Sequence, residues 1–312
     1  MTIPNHFSYT RYLAAKKSVD DLALNRQVFG TLAQALGTRQ ESGPLAFLEV
    51  GSGPGTMVER LWDWGILTNA LYTAVDLLPE NIAAAQTRLP AFARERGLEL
   101  REVGKNGWHL TGLGRSLRLT LEALDVFDFA AREKGRSTWD VLLAHAFLDL
   151  VDLETALPCL LALLKPGGCF YFTLNFDGAT ILLPPLAPEL DASIEKLYHQ
   201  TMDERRVNGR PSGSSQTGRL LFSALPKFGG RLLAAGSSDW VVFPGPDGYP
   251  HDEAYFLHYL VHTVEEALRG HPLLKESSLQ EWITRRHRQI ERAELIYLAH
   301  QLDFFGIKWG EQ

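Results

Sequence analysis

From Leu45 onward, short apolar runs alternate with amphipathic stretches, the rhythm of a parallel sheet whose strands are joined by helical crossovers. Leu45–Val50, Leu71–Val75, Leu117–Leu124, Val141–Ala144 and Cys169–Leu174 read as five strands. Thr56–Trp64, Pro79–Leu89 and Leu153–Leu164 read as the helices between them. Pro79 suits a first helical turn, where a missing N–H costs little. A glycine-punctuated stretch before the third strand suggests an extra hairpin. Lys165-Pro166-Gly167-Gly168 predicts a sharp turn before the fifth.

The flanks are helical. Residues 7–36 carry Leu22, Val28, Phe29, Leu32 and Leu36 near helical spacing, with Ser18 and Asp21 as a capping box and Gly37 as a stop. After the fifth strand come Pro184, Pro185 and Pro188, a helix around Ile194–Met202, and a polar stretch from Glu204 to Thr217. Arg219–Phe228 and Arg231–Val242 resume the helix–strand alternation. His251–Leu268 and Leu279–Glu294 read as two more helices, the second opened by a Ser278/Glu281 capping box. Leu295–Phe304 is strand-like. The expected organisation is a helical cap (1–42), a core (43–178), a lid insertion (179–217), core again (218–243), a second helical insertion (244–294) and a last strand (295–312). The insertions leave the sheet near the strand ends where ligands bind in open α/β folds, which makes them lid candidates.

Composition adds bounds. A chain of 312 residues buries about three quarters of its unfolded surface and needs no disulfide or metal staple. The formal charge of −6 argues against a general nucleic-acid footprint. The two cysteines, Cys159 and Cys169, sit in apolar runs and read as small buried hydrophobes. No apolar run approaches the ~20 residues of a membrane span, and the N-terminus lacks a signal-peptide core. A soluble, cytoplasmic protein is expected.

The chemistry is concentrated in Glu49-Val50-Gly51-Ser52-Gly53-Pro54-Gly55-Thr56, a glycine-rich turn from the first strand into the first helix. A dinucleotide fingerprint would place its third glycine three residues after the second, where Thr56 stands. A phosphate loop would need Gly-Lys-Ser/Thr. With Glu49 two residues before the first glycine, the pattern suits a ligand carrying an ammonium rather than a pyrophosphate.

Further motifs follow in order. Tyr72-Thr73-Ala74-Val75-Asp76 ends the second strand in an acid, Asp125-Val126 ends the third, Trp139 to Phe147 spans the fourth, and Leu164 to Gly168 precedes the fifth. With these in register, residues 45–175 resemble the class I, Rossmann-like S-adenosylmethionine-dependent methyltransferases. The resemblance implies an α/β fold: a mostly parallel seven-stranded sheet with an antiparallel last strand, flanked by helices, with helical lid insertions. It implies S-adenosyl-L-methionine as cofactor. The methionine end would lie on Glu49, Gly51, Ser52, Gly53 and Gly55. Asp76 with Leu77 would hold the ribose side, Asp125 with Val126 the adenine, and His145 with Ala146 would border the methionine part. The N-terminal segment around Tyr9–Lys16 would close over the cofactor, with Tyr12 as the expected contact.

His145 is read foremost as a lining residue and otherwise as a general base; Asp149 could face the methyl acceptor. Asn175, Arg210, Trp240 and Tyr255 are candidates for acceptor binding, with the arginine-bearing loop 204–217 suited to a polar or anionic molecule. His251, His258 and His262 lack the glutamate and further ligands of a metal site, so no metal is expected. Arg285, Arg286, Arg288 and Arg292 read as a solvated helix face. The expected activity is methyl transfer to an oxygen or nitrogen of a polar small molecule. An RNA-modifying methyltransferase or a non-catalytic cofactor-binding module are the alternatives.

Overall fold

The computed structural model describes residues 2–309 except 38, 40–42, 105, 208 and the side chain of Arg210. The N-terminal part holds α1 (Tyr9–Ala15), α2 (Lys17–Ala23) and α3 (Arg26–Gly37). Then follow β1 (Leu45–Val50), α4 (Thr56–Asp63), β2 (Asn69–Asp76), α5 (Pro79–Glu95), β3 (Glu99–Glu102), β4 (Gly107–Gly112), β5 (Arg115–Ala123) and α6 (Val126–Arg132). The chain continues through β6 (Trp139–His145), a 3-10 turn at Leu148–Leu150, α7 (Leu153–Leu163), β7 (Leu164–Leu183), α8 (Pro188–Asp203), and the short strands β8 (Arg206–Val207) and β9 (Arg210–Pro211). It closes with α9 (Thr217–Lys227), β10 (Gly230–Ser237), β11 (Trp240–Val242), α10 (Glu253–Leu268), α11 (Glu276–Glu291) and β12 (Ile296–Lys308).

The main sheet has the order β10-β12-β7-β6-β1-β2-β5-β4-β3, with β11 paired to β12. The pairs linking β5, β2, β1, β6 and β7 are parallel, and β12 runs antiparallel between β7 and β10. This is the expected Rossmann-like α/β sheet, widened at one edge by the β3–β4 hairpin.

The period of two along each strand divides its side chains between two cores. Phe47, Tyr72, Ala74, Val141 and Leu143 face α3, α4 and α5. Leu48, Val50, Val75, Leu142 and Ala144 face α6, α7 and α9. A third core joins α1, α2, α8, α10 and α11 over β11 and the outer parts of β7 and β12.

Several local expectations change. Neither capping box forms. Ser18 lies inside α2 and donates to Glu253, while α11 starts before Ser278, at Glu276. Competing tertiary partners and an earlier first turn decide both cases. The helical N-terminus breaks at Asn25, whose side chain accepts from the N–H of Gln27 and Val28. The Lys165–Gly168 turn is looped out within β7, where the pairing jumps from Trp139↔Leu164 to Val141↔Cys169. β7 then runs to Leu183, because β12 pairs with it along that whole length. Arg286 departs from a solvated helix face. It is fully buried, with Nη2 2.6 Å from Asp191 Oδ1 and Nη1 donating to Pro184 O at 2.9 Å.

Candidate functional site

The carboxyl ends of β1, β2, β5 and β6 open into a cavity of about 960 Å3, within the range of small-molecule sites. Its floor is Gly51, Ser52 and Gly53 after β1, Asp76 and Leu77 after β2, Asp125 and Val126 after β5, and His145 and Ala146 after β6. Tyr9, Leu13 and Lys16 from the N-terminal helices form one wall, and Val207, Pro211 and Ser212 approach from the β8–β9 hairpin.

The glycine turn has a steric basis. Gly51 has φ +66°, and a β-carbon there would overlap the Phe147 ring; only glycine satisfies both demands. Gly55 differs from the expectation. It lies outside the cavity lining, caps α4 with φ +80°, and would place a β-carbon 3.3 Å from Ala85. Its work is to pack α4 on α5.

Asp76 is both lining and brace. One oxygen accepts from Gly53 N at 2.7 Å; the other accepts from Leu78 N at 2.9 Å and Asn81 Nδ2 at 3.0 Å. The second strand end thereby fixes the glycine turn of the first, and the Oδ2 facing that turn retains acceptor capacity. Asp125 caps α6 through Phe127 N at 2.7 Å and also lines the cavity.

Glu49 is not in the lining. Its side chain is buried beneath the turn and accepts from the Tyr72 hydroxyl at 2.8 Å. Burial pushes its carboxyl up to about 8, against the opposing pull of the Tyr72 bond and of Arg60. A direct hold on a ligand ammonium therefore gives way to a supporting role below the backbone.

His145 lines the cavity, but its two ring nitrogens are engaged. Nδ1 lies 2.7 Å from Thr173 Oγ1 and Nε2 lies 3.0 Å from Asp20 Oδ2. Burial opposes charge on Asp20, yet Lys16, His145 and Arg60 outweigh it and hold the carboxyl well below its usual range. The ionised acid requires the proton on Nε2, which leaves Nδ1 to accept from Thr173. Burial lowers the imidazole to about 4, with Asp20 only partly opposing. This neutral ring has no spare lone pair, so the general-base reading is corrected to one of lining and positioning.

Sequence reasoning singled out neither Asp20 nor Lys16. Asp20 is 1% exposed and also accepts from Lys16 Nζ at 2.8 Å and Trp240 Nε1 at 3.0 Å. Their i,i+4 spacing was visible as an ordinary helical ion pair; only the fold shows that it is buried against β6.

The other candidates separate. Tyr9 takes the place expected for Tyr12, which stacks on Tyr259 at 4.3 Å and on Phe256 at 5.6 Å in the third core. Burial, with Asp76 nearby, raises the Tyr9 phenol to about 12, so it enters the cavity neutral. Trp240 and Tyr255 lie outside the lining. Trp240 serves Asp20, while Tyr255 bonds Ser8 N at 2.7 Å and lies under the Arg11 guanidinium. Asn175 is fully buried and donates to Leu302 O at 2.9 Å, tying β7 to β12. Helical and strand geometry turn these four side chains inward, away from the cavity. The Arg210 side chain and Asn208 fall outside the described residues.

Asp149 stands behind the wall, between the lining residues Phe147 and Leu150. Its Oδ1 is buried without a partner among the described residues, and burial raises its carboxyl. The hairpin is stapled there: Arg205 Nη2 donates to Asp149 O at 2.8 Å and Ser212 Oγ to Leu150 O at 2.7 Å.

Among the described residues no group of three His, Cys, Asp or Glu side chains is arranged to hold a metal, and no helix is long and apolar enough to cross a membrane.

No protein-family model matches the chain, and no curated protein does. Solved structures do. A methyltransferase dependent on S-adenosylmethionine from Thiobacillus denitrificans, in complex with S-adenosyl-L-homocysteine, is 15% identical, with 97% of this chain and 99% of that one covered, at a TM-score of 0.45. A second such methyltransferase, from Methanosarcina mazei, is 14% identical over 86% of this chain and 95% of that one, at 0.44. These are similarities in the course of the chain, and what the site does has to be argued from its own residues.

Proposed function

We propose that this chain is an S-adenosyl-L-methionine-dependent methyltransferase acting on an oxygen or nitrogen of a small-molecule acceptor. The observation that carries the reading is the convergence of three strand ends on one cavity: the Gly51–Gly53 turn, Asp76 and Asp125. A β-carbon-free turn lets a ligand lie against backbone N–H and C=O groups. Asp76 offers charged acceptor sites to paired hydroxyls, and such bonds are strong and directional. The volume of about 960 Å3 leaves room for a second molecule beside the cofactor.

When bound, the cofactor supplies a methyl group already activated by its sulfonium, for in-line displacement by the acceptor. The protein's task is then alignment and exclusion of water. Gly51, Ser52 and Gly53 would hold the amino-acid end, Asp76 the ribose, and Asp125 and Val126 the base. Tyr9 and Leu13 would close over it from the N-terminal cap. Segment 179–217 is assigned as the lid that borders the acceptor, through Val207, Pro211 and Ser212, whereas segment 244–294 packs in the third core and backs the N-terminal helices. Within the first, Val207 and Pro211 face the cavity while Arg205 is spent on the staple. Among the described residues, the hairpin therefore brings Val207, Pro211 and Ser212 to the acceptor side of the cavity.

Calorimetric titration with S-adenosyl-L-homocysteine tests the reading directly, and methyl-labelled cofactor with a small-molecule extract tests transfer. Binding of NAD in place of S-adenosyl-L-homocysteine would overturn it.

A further inference from the structure

The cavity is electrically uneven. Across the row β6–β1–β2–β5, neighbouring strands lie about 4.8 Å apart, so His145 and Asp125 terminate strands three spacings from each other. The far end carries the carboxylates Asp76 and Asp125. The near end carries Lys16, the one lysine or arginine in the lining among the described residues.

Lys16 is 6% exposed and comes from the junction of α1 and α2, not from the sheet. Of its three N–H donors, one goes to Asp20 Oδ2 at 2.8 Å, and no other hydrogen bond to it is present among the described residues. Arg60 lies close by, 1% exposed, and its Nη2, 3.9 Å from the same Asp20 oxygen, has no hydrogen-bond partner among the described residues. Arg60 is itself paired with Asp21 through Nε, so Asp20 is left chiefly to Lys16, which has donors left over at the cavity surface. Such a cation, held at its far side and free at its near side, is arranged for one more anion.

We infer that Lys16 is the subsite for the carboxylate of the ligand's amino-acid end, and that Asp20 is its positioning residue. The inference rests on the cofactor reading above and deepens it. Asp20 fixes the lysine's flexible stem through the i,i+4 pair and ties it to His145 on β6. The N-terminal cap therefore brings a recognition group to the site as well as a wall. A ligand with the same nucleoside and no amino acid would not use this subsite.

The test compares S-adenosyl-L-homocysteine with 5′-methylthioadenosine, which lacks the amino-acid end, on the full chain. Lys16→Met is expected to weaken S-adenosyl-L-homocysteine by about 10- to 100-fold, the worth of a hydrogen bond to a charged group, and to leave 5′-methylthioadenosine within about twofold. Lys16→Arg should recover most of the loss. Asp20→Asn should weaken the first ligand selectively, and Lys16→Met added to it should cost little more, because the two act as a unit. Thermal melts of each variant exclude unfolding as the cause. Equal losses for both ligands, unchanged S-adenosyl-L-homocysteine affinity in Lys16→Met, or fully additive losses would overturn the inference. If the unmodified protein binds neither ligand, the cofactor reading itself has failed, a result distinct from all three.

Discussion

The row of strand ends and the N-terminal cap meet at the same cavity, yet they encode their contributions differently. At the strand ends, chemistry is local. Gly51 needs a left-handed backbone and clearance from Phe147, and Asp76 holds the turn from the end of the neighbouring strand. In the cap, the residues that matter are ordinary by sequence. Tyr9, Leu13 and Lys16 follow an i, i+4, i+7 stripe and face the cavity, while Tyr12, one position away from it, packs in the core. The difference teaches that a backbone-dictated site can be read from residue identity, whereas a site assembled by helix docking depends on which face is turned inward.

The comparison can be broken by mutation. The largest effect is expected at the cap's anchor. Asp20→Ala leaves Lys16 a buried cation without its carboxylate and takes the acceptor from His145 and Trp240; it should cost about 3–5 kcal/mol of stability, read as a fall in the urea midpoint. At the strand ends, Asp76→Ala should weaken S-adenosyl-L-homocysteine by about 100-fold, since both a ligand acceptor and the brace on Gly53 are lost; retained affinity in a titration would remove the ribose role. Gly51→Ala should destabilise the fold by about 2 kcal/mol through backbone strain and overlap with Phe147, and should impair binding as well.

Within the strand row, two proton linkages run in opposite directions. The Glu49 carboxyl is raised to about 8 in the folded protein by burial. Its contribution to stability is therefore complete below its ordinary pKa and is lost as pH climbs toward 8. Glu49→Gln should remove that loss, so that the variant gains stability over the parent between pH 5 and pH 8.5 in urea denaturation. His145 acts oppositely. Its folded value near 4 lies below its ordinary one, so its contribution is present near neutrality and fades as pH falls through the interval down to 4. The smallest effect belongs to Tyr255→Phe, which forfeits the bond to Ser8 for about 1 kcal/mol and should leave ligand affinity unaltered. A change in affinity there would show that the third core reaches the cavity.

Much of the core was readable because strand and helix periodicities differ and the glycine turn separates one strand from its helix. The β3–β4 hairpin and the placement of Asp76 and Asp125 at strand ends follow that reading, while the antiparallel course of β12 had been implied by the family resemblance alone. The errors share a cause as well. Ser18 and Ser278 had the residue types of caps, but partners distant in sequence and an earlier helix start took precedence. Arg286 looked solvated within a basic run until Asp191 and Pro184, about a hundred positions away, enclosed it. His145 resembled a base, and Asp20 and Thr173 occupied its nitrogens.

From the amino-acid order alone came the alternation of buried strands and helices, the backbone freedom of the glycine turn, and the acids that end the strands. Each depends on neighbours only a few residues apart. Folding in three dimensions decided which face of the N-terminal helices meets the cavity, which charges are neutralised in the interior, and which polar side chains retain donors for a ligand. Those outcomes depend on desolvation and pairing between segments far apart in sequence, as between Asp20 and Trp240, 220 residues apart, and no local pattern records them.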